Sequence, residues 1–451
     1  MNLEFAASIP VRNEWDVIVG GGGPAGCAAA VAAARNGARV LLLEAGTCLG
    51  GMGTAGLVPA WCPFSDKEKI VYRGIGLEIF EALKKEMPHV KPGDTDWVPI
   101  DPEALKRILD RLLINAGVKV LFNSTLVGAE VEKDDGAENG KRFKYLIAAH
   151  RGSLRAYGAA VFVDCTGTAD LVNLGGLPCR QGNEGTGEVQ AATHCFVITN
   201  VDDYHYRTMP ALHSSNPASV SHDLARSGKY PLIKTAHCCN SPLGPQAVGF
   251  NAGHLFNVDP TDPENISAAA MQGRELAYQY HQGLKEYLPE VFGASWLAQT
   301  AQTVGARESR RIIGDYVLTA EDYLARRSFD DEIGRNCYYL DRHPNQKELE
   351  RRAVTGEKGG ESSARPYNPG ESHGIPYRSL IPRGACNVLA GGRNISCDHL
   401  IYGSLRVMPT CFVTGQAAGT AAALSSREKR VRDVDIGLLR ERLRKDGAFF
   451  Q

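Results

Sequence analysis

The sequence predicts an α/β chain in which a nucleotide-binding domain with a parallel sheet carries a β-meander and is interleaved with an α+β cap. Three observations lead there. A β-branched run at Val17 to Val19 enters a glycine turn and leaves it as an alanine-rich helix. Between Val118 and Asp164 the chain alternates as a series of short strands, and from about Gly182 to Gly374 a block of mixed character precedes a C-terminal return. At 451 residues the chain exceeds one ordinary domain, so interleaving is expected. The nucleotide-binding domain is assigned 1–60, 100–181 and 375–451, and the cap 61–99 and 182–374.

The first unit, "DVIVGGGGPAGCAAAVAAARNGARVLLLEAG" from Asp16, reads strand, turn, helix, strand. Gly21, Gly23 and Gly26 occupy the G-x-G-x-x-G positions: the first permits the tight turn, the second a close approach of pyrophosphate, the third close helix–strand packing. Gly37 ends the helix, Val40 to Leu43 form the second strand, and Glu44 follows Gly26 by 18 positions, where a carboxylate can accept from ribose hydroxyls. This is a Rossmann-like dinucleotide site. The residues leave NAD and FAD open, but no second such motif follows a later strand, so the electron partner is expected to be something other than a stably docked nicotinamide.

Composition narrows the partners. Hydrophobic residues make up 43% and charged residues 22%, the balance of a globular chain. Fifty basic against 51 acidic residues give a net charge of −1, which sets up no field for nucleic acid or an anionic membrane. The first fifteen residues lack the pattern of a secretory signal, and no stretch approaches the ~18 consecutive apolar residues of a membrane span. Twelve cysteines are scattered without a C-x-x-C pair, which points to a reduced, cytoplasmic chain. No metal site is expected from the ligand spacings.

The loop "AGTCLGGMGTAGLVPAWCPF", the strands "VKVLFNSTLVGAEVEKD", "RFKYLIAAHRG" and "SLRAYGAAVFVD", and the turn "AVFVDCTG" together resemble the FAD-binding fold of glutathione-reductase-like flavoproteins. With "VYRGIGLEIFEAL", "VGARESRRIIGDYVLT", "FDDEIG", "IPYRSLIP", "NVLAGGRNIS" and "IYGSLRVMPTCFVTGQAAGTAAAL", the chain is more narrowly similar to the family of FAD-dependent oxidoreductases. The resemblance implies an enzyme with bound FAD, touched by Gly21, Gly23, Pro24, Ala25, Gly26 and Glu44. It extends these contacts to Ala45, Gly50, Gly51, Gly53 and Thr54 in the glycine-rich loop, to Val127, Thr166 and Gly167, and to Arg393 and Ser404. In this fold a C-terminal helix points its N-terminus at the flavin's pyrimidine edge, where it stabilises negative charge. That assigns Thr414, Gly415, Gln416, Ala417 and Ala418 to the edge. Many relatives of the wider fold carry Gly-Asp where this chain reads "AGGRNIS", with Arg393 in the neighbourhood, which weakens a reading as an aromatic hydroxylase.

A disulfide reductase needs two cysteines a few residues apart beside the flavin; here Cys48 and Cys62 are too far apart for a local pair. A small-molecule substrate is expected, with an electron acceptor or donor the sequence does not specify. An alcohol or amine donor needs a base for its heteroatom proton. The candidates are His343, oriented by Asp341, and His373. Cationic anchors are Arg310, Arg378 and Arg406, with His399 and Tyr402 as further lining. The polar stretch from His343 to Gly374 is expected as a solvated surface loop or a mobile lid.

Overall fold

The computed structural model describes residues 7–134, 140–355, 366–428 and 430–451. Its centre is a five-stranded parallel sheet in the order Val388–Ala390, Val161–Asp164, Val17–Gly20, Val40–Leu43, Lys119–Leu121. These strands are apolar because both faces are covered. Val17, Val19, Val40, Leu42, Val161 and Val163 face a helical layer, while Ile18, Leu41, Leu43 and Phe162 face a four-stranded sheet formed by Val11–Arg12, Ser153–Gly158, Gly140–His150 and Thr125–Asp134. The last three strands are the expected meander, with antiparallel pairing throughout.

The cap has its own core. Strands Cys238–Gly244, Ala247–Ala252, Phe196–Thr199 and Trp296–Thr300 form a sheet covered by the helix Pro263–Tyr287, which Asp262 caps through the Glu264 and Asn265 amides. Phe196 and Phe250 stack at 5.0 Å between ring centres at its middle. The structure draws the domain boundary differently from the sequence reading. In the 61–99 segment, assigned to the cap, Trp61, Phe64, Tyr72 and Phe80 join the core that holds the helix Pro24–Arg35; Tyr323, Ile333 and Leu340 join it too. Their aromatic bulk fills space beside an alanine-faced helix that offers little volume itself. Only about 192–304 forms the separate cap core.

A second difference concerns the expected lid. Gln346–Thr355 is a helix, and 356–365 lie outside the described residues. Among the described residues no helix is long and apolar enough to cross a membrane.

Candidate active site

The glycine turn has the shape its spacing predicts. Gly21 sits at φ +92°, and a Cβ there would lie 2.5 Å from the Cys165 carbonyl oxygen; at Gly26 it would lie 1.8 Å from the Gly21 carbonyl oxygen. Gly23 is the opposite case: an added Cβ would meet nothing within 4 Å. The helix Pro24–Arg35 starts there with no side-chain cap, so its first amides face an open space with the positive end of the helix dipole. The Gly50 amide docks the glycine-rich loop on the Gly22 carbonyl at 2.8 Å. The Glu44 carboxylate accepts from the Gly22 and Gly46 amides at 2.5 and 2.6 Å. Val127 bulges out of register between Leu126 and Gly128 and is half exposed, which leaves its backbone out of the ladder. An open cradle at an uncapped helix start, with a carboxylate at the end of the next strand, fits a dinucleotide.

The other assigned contacts divide. Gly51 and Gly53 lie in the short helical turn of the loop, next to Ala45 and Gly50, and the Thr54 hydroxyl donates to the Leu49 carbonyl at 2.6 Å, holding the loop closed. Thr166 accepts from the Asp170 amide, and Gly167, at φ +75°, lies against the Arg393 guanidinium. Arg393 in turn donates to the Ala306 carbonyl and reaches the cavity described below. Ser404 is fully buried between the Asn336 amide and the Tyr338 carbonyl, a brace between segments.

The C-terminal helix requires a larger correction. It runs Met408–Glu428, so its N-terminus precedes Gly415 by seven residues, and Val407 and Met408, not Gly415, face the cavity. Gly415 and Gly419 instead touch the Pro24–Arg35 helix: added Cβ atoms would fall 2.2 Å from the Ala25 carbonyl oxygen and 2.0 Å from that of Ala29. Ala417 and Ala418 are buried in the same core. Gln416 turns away, accepting from the Ile75 amide at 2.9 Å and donating to the Asp446 carbonyl. The small residues thus exist to let two helix backbones meet. Thr414 does reach the site's frame, accepting from the Gly392 amide at 2.9 Å.

Between cradle and cap lies a cavity of about 450 Å³. Met52 and Arg393 reach it from the nucleotide-binding side, and Arg307, Asp341, His343 and Arg406 from the substrate side. Arg406 donates to the Asp341 backbone carbonyl at 2.8 Å and to its carboxylate at 3.1 Å, and His343 Nε2 lies 3.4 Å from the same carboxylate. Burial pushes the Asp341 carboxyl up, but His343, Arg406 and Arg307 outweigh it and hold the group well below the usual carboxylate range. Burial, followed by Arg307, pushes His343 down to about 4, so its imidazole is neutral at physiological pH. The Gln190 side-chain carbonyl receives the His343 amide at 3.0 Å, and the Gln190 amide donates to Glu308.

The structure therefore joins Asp341, His343 and Arg406 and leaves the other candidates elsewhere. His373 is buried in the strand His373–Pro376 against the Tyr367 hydroxyl, outside the cavity. Arg310 pairs with Asp170 at 2.6 Å and Arg378 with Asp331 at 2.9 Å, both as structural ties. His399 bonds Glu308 at 2.8 Å, and Tyr402 packs against Arg311, whose buried guanidinium also pairs with Glu308. Sequence reasoning missed Arg307, His237 and His254. His237 lines the cavity, and His254 stacks on it at 4.4 Å while bonding His343 Nδ1 at 3.0 Å. Nothing local marks them: the two histidines flank paired cap strands, and His343 arrives from 89 residues further on.

A glycine-turn cradle, with a chamber that Met52 and Arg393 reach from the nucleotide-binding side, defines a dinucleotide-dependent redox enzyme of Rossmann-like fold. The family model described as FAD dependent oxidoreductase matches residues 16–443, and the chain belongs to that family, with FAD as its cofactor. No curated protein matches the chain. Among solved structures the chain is similar to AlpK at 12% identity, covering 92% of this chain and 63% of that one, with a TM-score of 0.44. It is also similar to a geranylgeranyl bacteriochlorophyll reductase-like protein from Thermoplasma acidophilum (12%, 96% and 83%, TM-score 0.44) and to the flavin-dependent brominase Bmp2 (12%, 96% and 83%, TM-score 0.44). This chain thus spans less than two thirds of the length of AlpK.

Proposed function

We propose that the enzyme oxidises a small, polar, hydroxylated substrate held in the cavity between cradle and cap. The observation that carries this reading is the cavity wall. Arg307, Arg393 and Arg406 bring three guanidinium groups to one chamber beside Asp341 and a neutral His343. These charged groups suit a hydroxylated or anionic part of a molecule, and the apolar remainder of the wall, with Met52, Val58, Trp97 and Met408, suits its carbon framework. Bound FAD supplies the two-electron acceptor. Gly21, Gly23, Gly26 and Glu44 would hold its dinucleotide part, with the loop around Gly50 closing over it.

The chain's own groups do the rest. Arg406, fixed by Asp341, is aimed and immobile, so it orients an oxygen substituent at low entropic cost. A hydroxyl that becomes a carbonyl sheds a proton, and the His343–Asp341 pair is the acceptor at the cavity wall. The cap strands and the loop at Met52 wall the chamber.

The test is the visible spectrum of the purified protein followed by anaerobic addition of pooled sugars, polyols and hydroxy acids. Bleaching by one pool is expected. A yellow protein that no pool bleaches would reject the reading in favour of reduction of an activated C=C bond, with a cavity arginine as proton donor.

A further inference from the structure

We propose that His237, His254 and His343 form a site for one divalent transition-metal ion, of the zinc or cobalt class, in the wall of the substrate cavity. One ring nitrogen from each of the three buried side chains lies within 4.8 Å of the other two. The partners behind the three rings add to this. In each, the nitrogen facing away from the cluster is already held: His237 Nδ1 by the Gly253 carbonyl at 3.2 Å, His254 Nδ1 by the Thr235 hydroxyl at 3.0 Å, and His343 Nε2 by Asp341 at 3.4 Å. That leaves His254 Nε2 and His343 Nδ1 facing each other, and His237 Nε2 as the remaining nitrogen of a ring stacked on His254 with centres 4.4 Å apart. A carbonyl, a hydroxyl and a carboxylate behind three imidazoles is the outer arrangement that fixes ring and tautomer in metal centres.

The dimensions agree. His254 Nε2 and His343 Nδ1 lie 3.0 Å apart. With metal–nitrogen bonds of about 2.0–2.1 Å, that separation subtends roughly 90–95°, the angle of a five- or six-coordinate ion rather than a tetrahedral one. In the metal-free protein one of these nitrogens carries the proton of their mutual hydrogen bond. Metal binding requires His254 to move its proton to Nδ1, and the Thr235 hydroxyl, which can donate or accept, suits both tautomers. No proton is gained or lost in that exchange. Arg307 is the feature that opposes a cation; the Asp341 carboxylate behind His343 offsets it. The balance favours an ion that binds imidazole tightly over a hard cation such as magnesium.

His237 and His343 line the cavity, so the remaining coordination positions face the substrate. There the ion would act as a Lewis acid on a hydroxyl or carbonyl oxygen. That role rests on the reading of the cavity as the substrate chamber and refines it: His343 becomes a ligand, and the ion makes the substrate hydroxyl acidic in its place. The site itself does not depend on that reading.

The experiment uses the FAD-loaded full chain, stripped with a chelator, dialysed and titrated with Co²⁺. Binding is followed by ligand-field absorption on the long-wavelength side of the flavin band, and metal content is measured after gel filtration. One ion per chain is expected, with His254→Gln weakening it at least about 100-fold and Thr235→Val about 10-fold, while both variants keep the flavin spectrum. Absence of a stoichiometric ion, or a folded His254→Gln variant that binds Co²⁺ as the parent does, overturns the proposal. If His254→Gln fails to fold, unchanged binding by Thr235→Val overturns it. Repeating the substrate pools with and without metal separates the two readings, because a protein that binds one ion but is bleached by no pool keeps the site and loses the reaction.

Discussion

Gly23→Ala separates the cradle's role in folding from its role in cofactor binding. Gly23 has φ −68° and ψ −173°, a conformation open to any residue, and an added Cβ meets no protein atom within 4 Å. The loss of chain entropy in the unfolded state favours the variant by about 0.4–1 kcal/mol, and alanine's poorer helix capping offsets much of that. The apoprotein should keep its stability to within about 1 kcal/mol. The methyl group does occupy the space at the uncapped helix start where the pyrophosphate must come close. Overfilling a packed site costs about 1–3 kcal/mol, so FAD affinity should fall roughly 5- to 150-fold. Thermal unfolding of the apoprotein and flavin fluorescence quenching on reconstitution measure the two effects. Gly26→Ala is the contrast: its Cβ would sit 1.8 Å from the Gly21 carbonyl oxygen, so folding itself should fail. A Gly23→Ala protein that binds FAD as tightly as the parent would refute the assignment of this turn as the pyrophosphate site.

Three further outcomes can be checked. Gly415→Ala or Gly419→Ala would drive a methyl against the Ala25 or Ala29 carbonyl; each should cost at least about 1–3 kcal/mol in denaturant unfolding and release flavin, and unchanged midpoints would contradict the helix contact. His194 and His373 are buried neutral, pushed by desolvation from 6.5 to about 4 and about 3. Because these folded values lie below the unfolded one, their contribution to stability is present above about pH 6.5 and is lost as pH falls toward 3, so Tm should drop through that window and His373→Asn should drop less. Burial pushes the Cys62 thiol up to about 12, so Cys62→Ser should keep the flavin spectrum and any substrate bleaching, and alkylation of the native thiol near neutral pH should be slow.

The glycine turn is legible in the sequence because each glycine answers a local demand of backbone geometry, within six residues of its neighbours. The meander is legible for the same reason, since its strands pair in order. The Gly and Ala residues after Thr414 are ambiguous: an absent side chain permits the close approach of a phosphate, a flavin or another helix, and only the fold shows that Ala25 and Ala29 are what approaches. Arg310 and Arg406 look alike in sequence, yet one pairs with Asp170 outside the cavity and the other reaches Asp341 inside it. His237, His254 and His343 share no spacing rule, because antiparallel pairing of cap strands and a long return bring them together.

The contact of Gly415 and Gly419 with the helix at Pro24–Arg35 joins two segments far apart in the chain. During synthesis the helix Pro24–Arg35 is made long before the face of Met408–Glu428 that packs on it. Contacts so distant in sequence are slow to form, and until they do the first helix has one alanine face against its own strands and the other uncovered. Flavin should therefore enter only once Met408–Glu428 has been made and has docked, so that yellow colour in a growing population of molecules counts that docking and not finished glycine turns. A chain cut before the last helices would keep every glycine of the turn and still come out colourless.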